Sequence, residues 1–234
     1  SFSPLPSLSS FSSIVFSASL AITNVGYENN EILNATTIII TNMTLKYLGL
    51  MLAVVVLIQQ SWALAPKKLV TDARQQIGKT LYYDPAYTSL KYPMGDVPMI
   101  KGVCTDVIIR ALRLQGIDLQ QRIHEDMKAN FNAYPKKWGL KSTDRNIDHR
   151  RVPNIMTYFE RQGYSVQDKH YVAGDIVTWD LGKGLVHIGI VSDRKAKGSN
   201  TPLVIHNIGQ GTQENNILHQ FKIIGHYRIP QHIQ

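Results

Sequence analysis

The chain predicts an α+β domain, on two observations: an apolar pattern of helical spacing in its first part and a change to short β-branched runs in its second part. Lys67 to Ile77 reads as a helix closed by Gly78. Thr80 to Pro98 is punctuated by Pro85, Pro93, Gly95 and Pro98 and reads as a structured loop. After Cys104, residues Val107, Ile108, Ala111, Leu112 and Leu114 recur at helical spacing until Gly116 stops the run. Shorter helices are expected near 119–132 and 153–162, with a loop holding Trp138-Gly139-Leu140 and Asn146 to Arg151 between them. The period then shortens to that of strands. Gly174 to Trp179, Val186 to Val191, Leu203 to Asn207 and Lys222 to Ile229 are bounded by Gly, Pro, Asp or Asn, and a mostly antiparallel sheet is expected.

Residues 43–65 have the makeup of an export signal. Met43-Thr44-Leu45-Lys46 is a short positive start, Tyr47 to Ile58 is an apolar run of twelve, and Ala63-Leu64-Ala65 offers small residues for cleavage, which puts the mature start near Pro66. A run of twelve falls short of the roughly 20 apolar residues a spanning helix needs, so no stable membrane span is expected after cleavage. Residues 1–42 begin without Met, contain no Lys or Arg, and are rich in Ser, Asn and Thr. They are expected to be a non-native or disordered leader outside the folded domain.

Residues 66–234 are expected to form one domain. The whole chain has 25 Lys plus Arg and 17 Asp plus Glu; residues 1–65 contain only Lys46, Glu28 and Glu31 of these, which leaves 24 against 15, a net charge of +9. A basic exported domain suits anionic polymers of the cell envelope, because its surface raises the local concentration of an acidic partner. Export argues against nucleic acid, and 66–234 has neither a Gly-rich phosphate loop nor a zinc motif. No cofactor is expected, and the domain is expected to be a monomer.

Cys104 is the only cysteine in 234 residues. Exported proteins use cysteines in disulfide pairs, so a solitary one is either a buried hydrophobe or kept for its thiol. A thiol at a helix N-terminus feels the positive end of the peptide dipoles, which favours ionisation, and a nearby imidazole would lower its pKa further and serve as general acid. Among eight histidines, His187 and His206 stand out because each lies in a strand among apolar residues, where an ionisable ring is costly without a partner. On a strand, positions 206 and 207 face opposite ways, so only one of His206 and Asn207 can meet His187. The polar cluster His124, Asp126, Asp148 and His149 has metal-binding residue types but no regular ligand spacing. Arg150 and Arg151 can pair with Asp148 or Glu125, or bind a substrate carboxylate. Trp138 and Trp179 read as packing residues.

The order of Cys104 at a helix start, Ala173 to Trp179, His187-Ile188-Gly189-Ile190-Val191 and Val204-Ile205-His206 resembles the NlpC-type cell-wall hydrolases, a branch of the papain-like cysteine peptidases. That resemblance implies Cys104 as nucleophile, His187 as base, His206 as the group that orients it, and Tyr83, on the loop before the nucleophile, as oxyanion donor. Asp106, Arg150, Arg151 and Asn207 become candidate substrate contacts. The chain departs from those hydrolases around the thiol, where Val103 precedes Cys104 and Thr105-Asp106 follow.

Tyr83-Asp84-Pro85, Gly95 to Pro98, Gly102 to Asp106, His124 to Met127, Asp148 to Asn154 and Ile205 to Gly209 are similar, over nearly all of 67–229, to a bacterial exported family known as domain of unknown function 1287. The expectation is therefore a periplasmic or otherwise exported hydrolase of papain-like fold, cleaving an amide bond in peptidoglycan stem peptides or another envelope substrate. A non-catalytic envelope-binding module and a metal-dependent hydrolase are the alternatives.

Overall fold

The computed structural model describes residues 39–51 and 65–230. The chain divides into two units, 1–59 and 60–234. In the first, residues 39–51 are helical and exposed. Residues 52–64 of the expected export signal, and 1–38 of the expected leader, lie outside the described residues. Among the described residues, no helix is long and apolar enough to cross a membrane.

The second unit is α+β. Its helices are α1 (Ala65–Arg74), α2 (Cys104–Arg113), α3 (Leu119–Ala129) and α4 (Val152–Arg161). Its strands are β1 (Tyr82–Tyr83), β2 (Lys101–Gly102), β3 (Ile176–Gly182), β4 (Leu185–Lys195), β5 (Pro202–Asn207), β6 (Thr212–Asn215) and β7 (Lys222–Tyr227). Pro66 sits in the first turn of α1, where a missing N–H costs nothing. β3 to β7 form an antiparallel sheet in the order β6-β5-β4-β3-β7, with Ile176 opposite Ile190, Trp179 opposite His187 and Ile190 opposite Ile205. β1 and β2 pair in parallel, setting Tyr83 opposite Gly102.

Pleat alternation gives the sheet two apolar faces. Ile176, Ile188, Ile190, Ile205 and Tyr227 pack with Val107, Ile108, Ala111 and Leu112 of α2 and with α1, α3 and α4. Val177, Trp179, Val191 and Val204 form a second cluster with Ile217 and Leu218. Each buried Ile or Leu contributes about 1.5–3 kcal/mol, so the contact of α2 with the sheet is what holds the N-terminal end of that helix against β4 and β5. Truncating Ile108, fully buried in that contact, to Ala costs about 2–5 kcal/mol.

Asp175, in the Gly174-Asp175 pair that opens β3, is an anchor for the sheet edge. Its carboxylate accepts from the backbone N–H of Val172 (2.9 Å), from Nε2 of His226 (2.7 Å) and from the Arg228 guanidinium (2.7 and 2.8 Å).

Candidate active site

Cys104 is the first residue of α2 and is 4 % exposed. The helix starts there because Val103 is extended (φ −115°) and its N–H donates to Asp106 Oδ2 at 2.7 Å, the return half of a capping box. Gly102 is required just before it. A Cβ at that position would lie 3.0 Å from Asp106 Oδ2 and 3.3 Å from Arg110 Nη1. Arg110 binds both carboxylate oxygens of Asp96 (2.9 and 3.2 Å) and the carbonyls of Val97 and Lys101, fixing the preceding loop.

The Asp106 carboxylate also takes two hydrogen bonds from Arg150, Nε to Oδ1 at 3.0 Å and Nη2 to Oδ2 at 2.9 Å, with both side chains buried. Thr105 Oγ1 donates to the Arg150 carbonyl at 3.1 Å. The reading of Asp106 as a substrate contact is thereby corrected: with Arg150 it joins the start of α2 to the 148–150 turn, and the Arg150 guanidinium, though it lines the cleft described below, is engaged by Asp106. Asn207 is corrected likewise. It is fully buried and its Nδ2 donates to the Gly102 carbonyl at 3.1 Å, tying the end of β5 to the nucleophile loop.

His187 Nε2 and His206 Nδ1 are 3.0 Å apart, with the rings edge to face. One of the two nitrogens donates, according to tautomer. His206, not Asn207, is therefore the partner of His187. The His187 ring also lies 5.7 Å from the Trp179 ring, and Trp179 is a packing residue as expected, its Nε1 donating to the Leu218 carbonyl at 3.0 Å. Gly189 lets β5 come close: a Cβ there would lie 2.6 Å from Val204 Cγ1 and 3.2 Å from His206 Cβ.

The sulfur of Cys104 is addressed by the backbone N–H of Ile188, one peptide bond beyond His187, and by the N–H groups of Thr105 and Cys104 at the helix start. α2 packs against β4, the strand that carries His187, and Cys104 and Ile188 share one buried cluster. No hydrogen bond among the described residues joins the sulfur to either imidazole. Burial outweighs those N–H donors and, with the nearby Asp106 carboxylate, pushes the Cys104 thiol up to about 12. Burial also holds His187 down at about 3 and His206 at about 4. Burial thus opposes the charged form of both groups and works against the ionisation that the helix terminus favours, because removing a charge from water is costly. Tyr83 is set beside the sulfur by its pairing with Gly102. Burial and the neighbouring Cys104 and Asp106 raise its phenol to about 12, which keeps it a donor.

A cleft of about 250 Å³ opens over this arrangement, lined by Tyr83, Cys104, Trp138, Arg150, Arg151 and Val186 among others. Trp138 is 58 % exposed on the cleft wall, so its reading as a packing residue is corrected. The Arg151 guanidinium lies 4.4 Å over its ring. Of the four metal-type residues, Asp148 pairs with Arg151 at 3.8 Å, and the other three are placed apart. Asp126 binds Arg161 (2.8 and 3.2 Å) and Tyr134 (2.6 Å), His124 packs against Tyr92, and His149 is buried, held near 3 by burial and by Arg150. Among the described residues, no group of three His, Cys, Asp or Glu is placed to hold a metal ion.

The fold and site define an α+β protein with its one cysteine at a helix start and a hydrogen-bonded histidine pair on the sheet that the helix packs against. The chain belongs to the family described as domain of unknown function DUF1287, whose profile matches residues 70–229. It is similar to the uncharacterized protein YijF of Escherichia coli strain K12, 57 % identical over 164 residues that cover 68 % of this chain and 80 % of that protein. No solved structure matches it.

Proposed function

We propose that this protein is an exported cysteine hydrolase of papain-like, NlpC type that cleaves an amide bond in peptidoglycan stem peptides, acting as a monomer in the periplasm or at the cell surface. One observation carries the reading: the start of α2 that bears Cys104 packs against β4, the strand of His187, whose Nε2 is 3.0 Å from His206 Nδ1, and Cys104 lines an open cleft. The apolar run 47–58 and the net charge of +9 over 66–234 support export and an anionic polymer as substrate.

In this mechanism the resting pair is neutral. As Cys104 attacks the amide carbonyl, its proton passes to His187, and the attraction between the new thiolate and imidazolium offsets the burial that opposes each charge alone. His206 holds the ring in one tautomer and orientation, the role of the third member in a catalytic triad. The oxyanion is met by the Cys104 N–H and the Tyr83 hydroxyl. His187 then protonates the departing amine, and water, deprotonated by His187, hydrolyses the thioester to the free acid and regenerated thiol.

Purified peptidoglycan incubated with residues 66–234 and with its Cys104→Ser form, followed by mass spectrometry, tests this. A new amine and acid terminus formed by the parent alone is expected. Identical spectra for both would remove the hydrolase and leave an envelope-binding module.

A further inference from the structure

Arg151 differs from the other arginines around the site. Arg110 and Arg150 are saturated by carboxylates and carbonyls, whereas the Arg151 guanidinium makes no hydrogen bond among the described residues. Its Nη1 is buried without a hydrogen bond and pairs at 3.8 Å with Asp148 Oδ1, which is likewise buried without one. Its plane rests on the Trp138 ring, and the side chain is one-fifth exposed. Trp138 holds this post in a left-handed backbone conformation (φ 61°), which a bulky residue rarely adopts. The result is a planar cation set between a ring and a carboxylate, one-fifth exposed on the wall of the cleft that contains Cys104 and, among the described residues, with no hydrogen bond of its own.

An immobilised guanidinium with open donors is matched to a carboxylate, which it meets with two parallel N–H···O bonds. Because its position is set before binding, little side-chain entropy is lost on capture. Building on the hydrolase reading, we infer that Arg151, clamped by Trp138, recognises a free carboxylate that the substrate carries close to the scissile amide, so that the preferred substrate is an acidic peptide rather than a neutral one. Asp148 orients the guanidinium from behind, and Trp138 supplies a flat apolar surface for the chain bearing the carboxylate.

The test is equilibrium binding of a soluble stem peptide with free carboxylates, and of the same peptide with its carboxylates converted to carboxamides, to the Cys104→Ala protein and to its R151Q and R151K derivatives. Thermal melts check that the derivatives are folded. The free acid is expected to bind the Cys104→Ala protein about 10-fold or more tightly than the amidated form. R151Q should abolish that preference, and R151K should keep part of it as a point charge. Equal affinity for the two forms, no detectable binding of either, or a preference that survives R151Q overturns the inference. Turnover by the parent protein separates this from the hydrolase reading. Cleavage of both forms at equal rates would keep the hydrolase and remove the carboxylate site, whereas selective binding with no cleavage would do the reverse.

Discussion

Replacing Asp106 with Ala should be among the most destabilising single changes near the site. Asp106 accepts three hydrogen bonds, at 2.7 Å from the Val103 N–H and at 3.0 and 2.9 Å from Arg150, in a pair whose side chains are 4 % and 2 % exposed. Losing one member of a buried pair strands the other charge away from water at a cost of about 3–5 kcal/mol. Against a typical domain stability of about 5–15 kcal/mol, that is a large share. With a urea slope near 2 kcal/mol/M, the unfolding midpoint should fall by about 2 M. Urea titration followed by tryptophan fluorescence reads this directly. Adding Arg150→Met removes the stranded charge, so the double variant should recover roughly 2 kcal/mol or more over Asp106→Ala alone. A loss below about 1 kcal/mol for the single variant, or simple additivity in the double, would refute the claim that the two groups exist for each other.

Three further outcomes follow from the same geometry. With its thiol near 12, Cys104 should react with iodoacetamide at pH 7 about 1,000-fold more slowly than a free cysteine and accelerate beyond pH 9; fast labelling that is flat between pH 5 and 8 would mean a preformed ion pair. Gly189→Ala drives a methyl into Val204 Cγ1, the Ile205 carbonyl and His206 Cβ, and should cost about 1–3 kcal/mol of stability and lower turnover by displacing His206; unchanged activity would separate His206 from the mechanism. Asp148 is raised by burial to about 6, so it favours the folded state below about pH 4 and loses that contribution as pH rises through 6; the difference in unfolding free energy between the parent and Asp148→Asn should therefore fall by roughly 2–3 kcal/mol from pH 4 to pH 7, and a constant difference would contradict it.

The elements were legible wherever packing imposes a period. The thiol helix is readable because Val107, Ile108, Ala111 and Leu112 all face one core, and β3 to β5 because their β-branched runs are buried on both faces. β6 was not, since Thr212-Gln213-Glu214-Asn215 is polar and is held by edge pairing with β5. β1 and β2 were missed because two-residue strands carry no period. That only one of His206 and Asn207 can meet His187 is legible from alternation, and the resemblance points to His206, but the use of Asn207 is not legible, because its partner Gly102 is 105 residues away. The same holds for Asp106 and Arg150, 44 residues apart: sequence marks both as charged, and only the fold shows that they neutralise each other. The forces on the thiol are only half legible for a related reason. A helix terminus is visible in sequence, whereas the burial that outweighs it is a property of the packed site.

The central claim is that Cys104 forms an acyl bond with substrate under the control of His187, and intact-protein mass spectrometry after brief exposure to peptidoglycan fragments and acid quenching tests it most directly. A mass increment equal to the acyl fragment, located on Cys104 in the parent and lost in Cys104→Ser and His187→Ala, is the predicted result. Cleavage by Cys104→Ser, or an increment on any other residue, would contradict it.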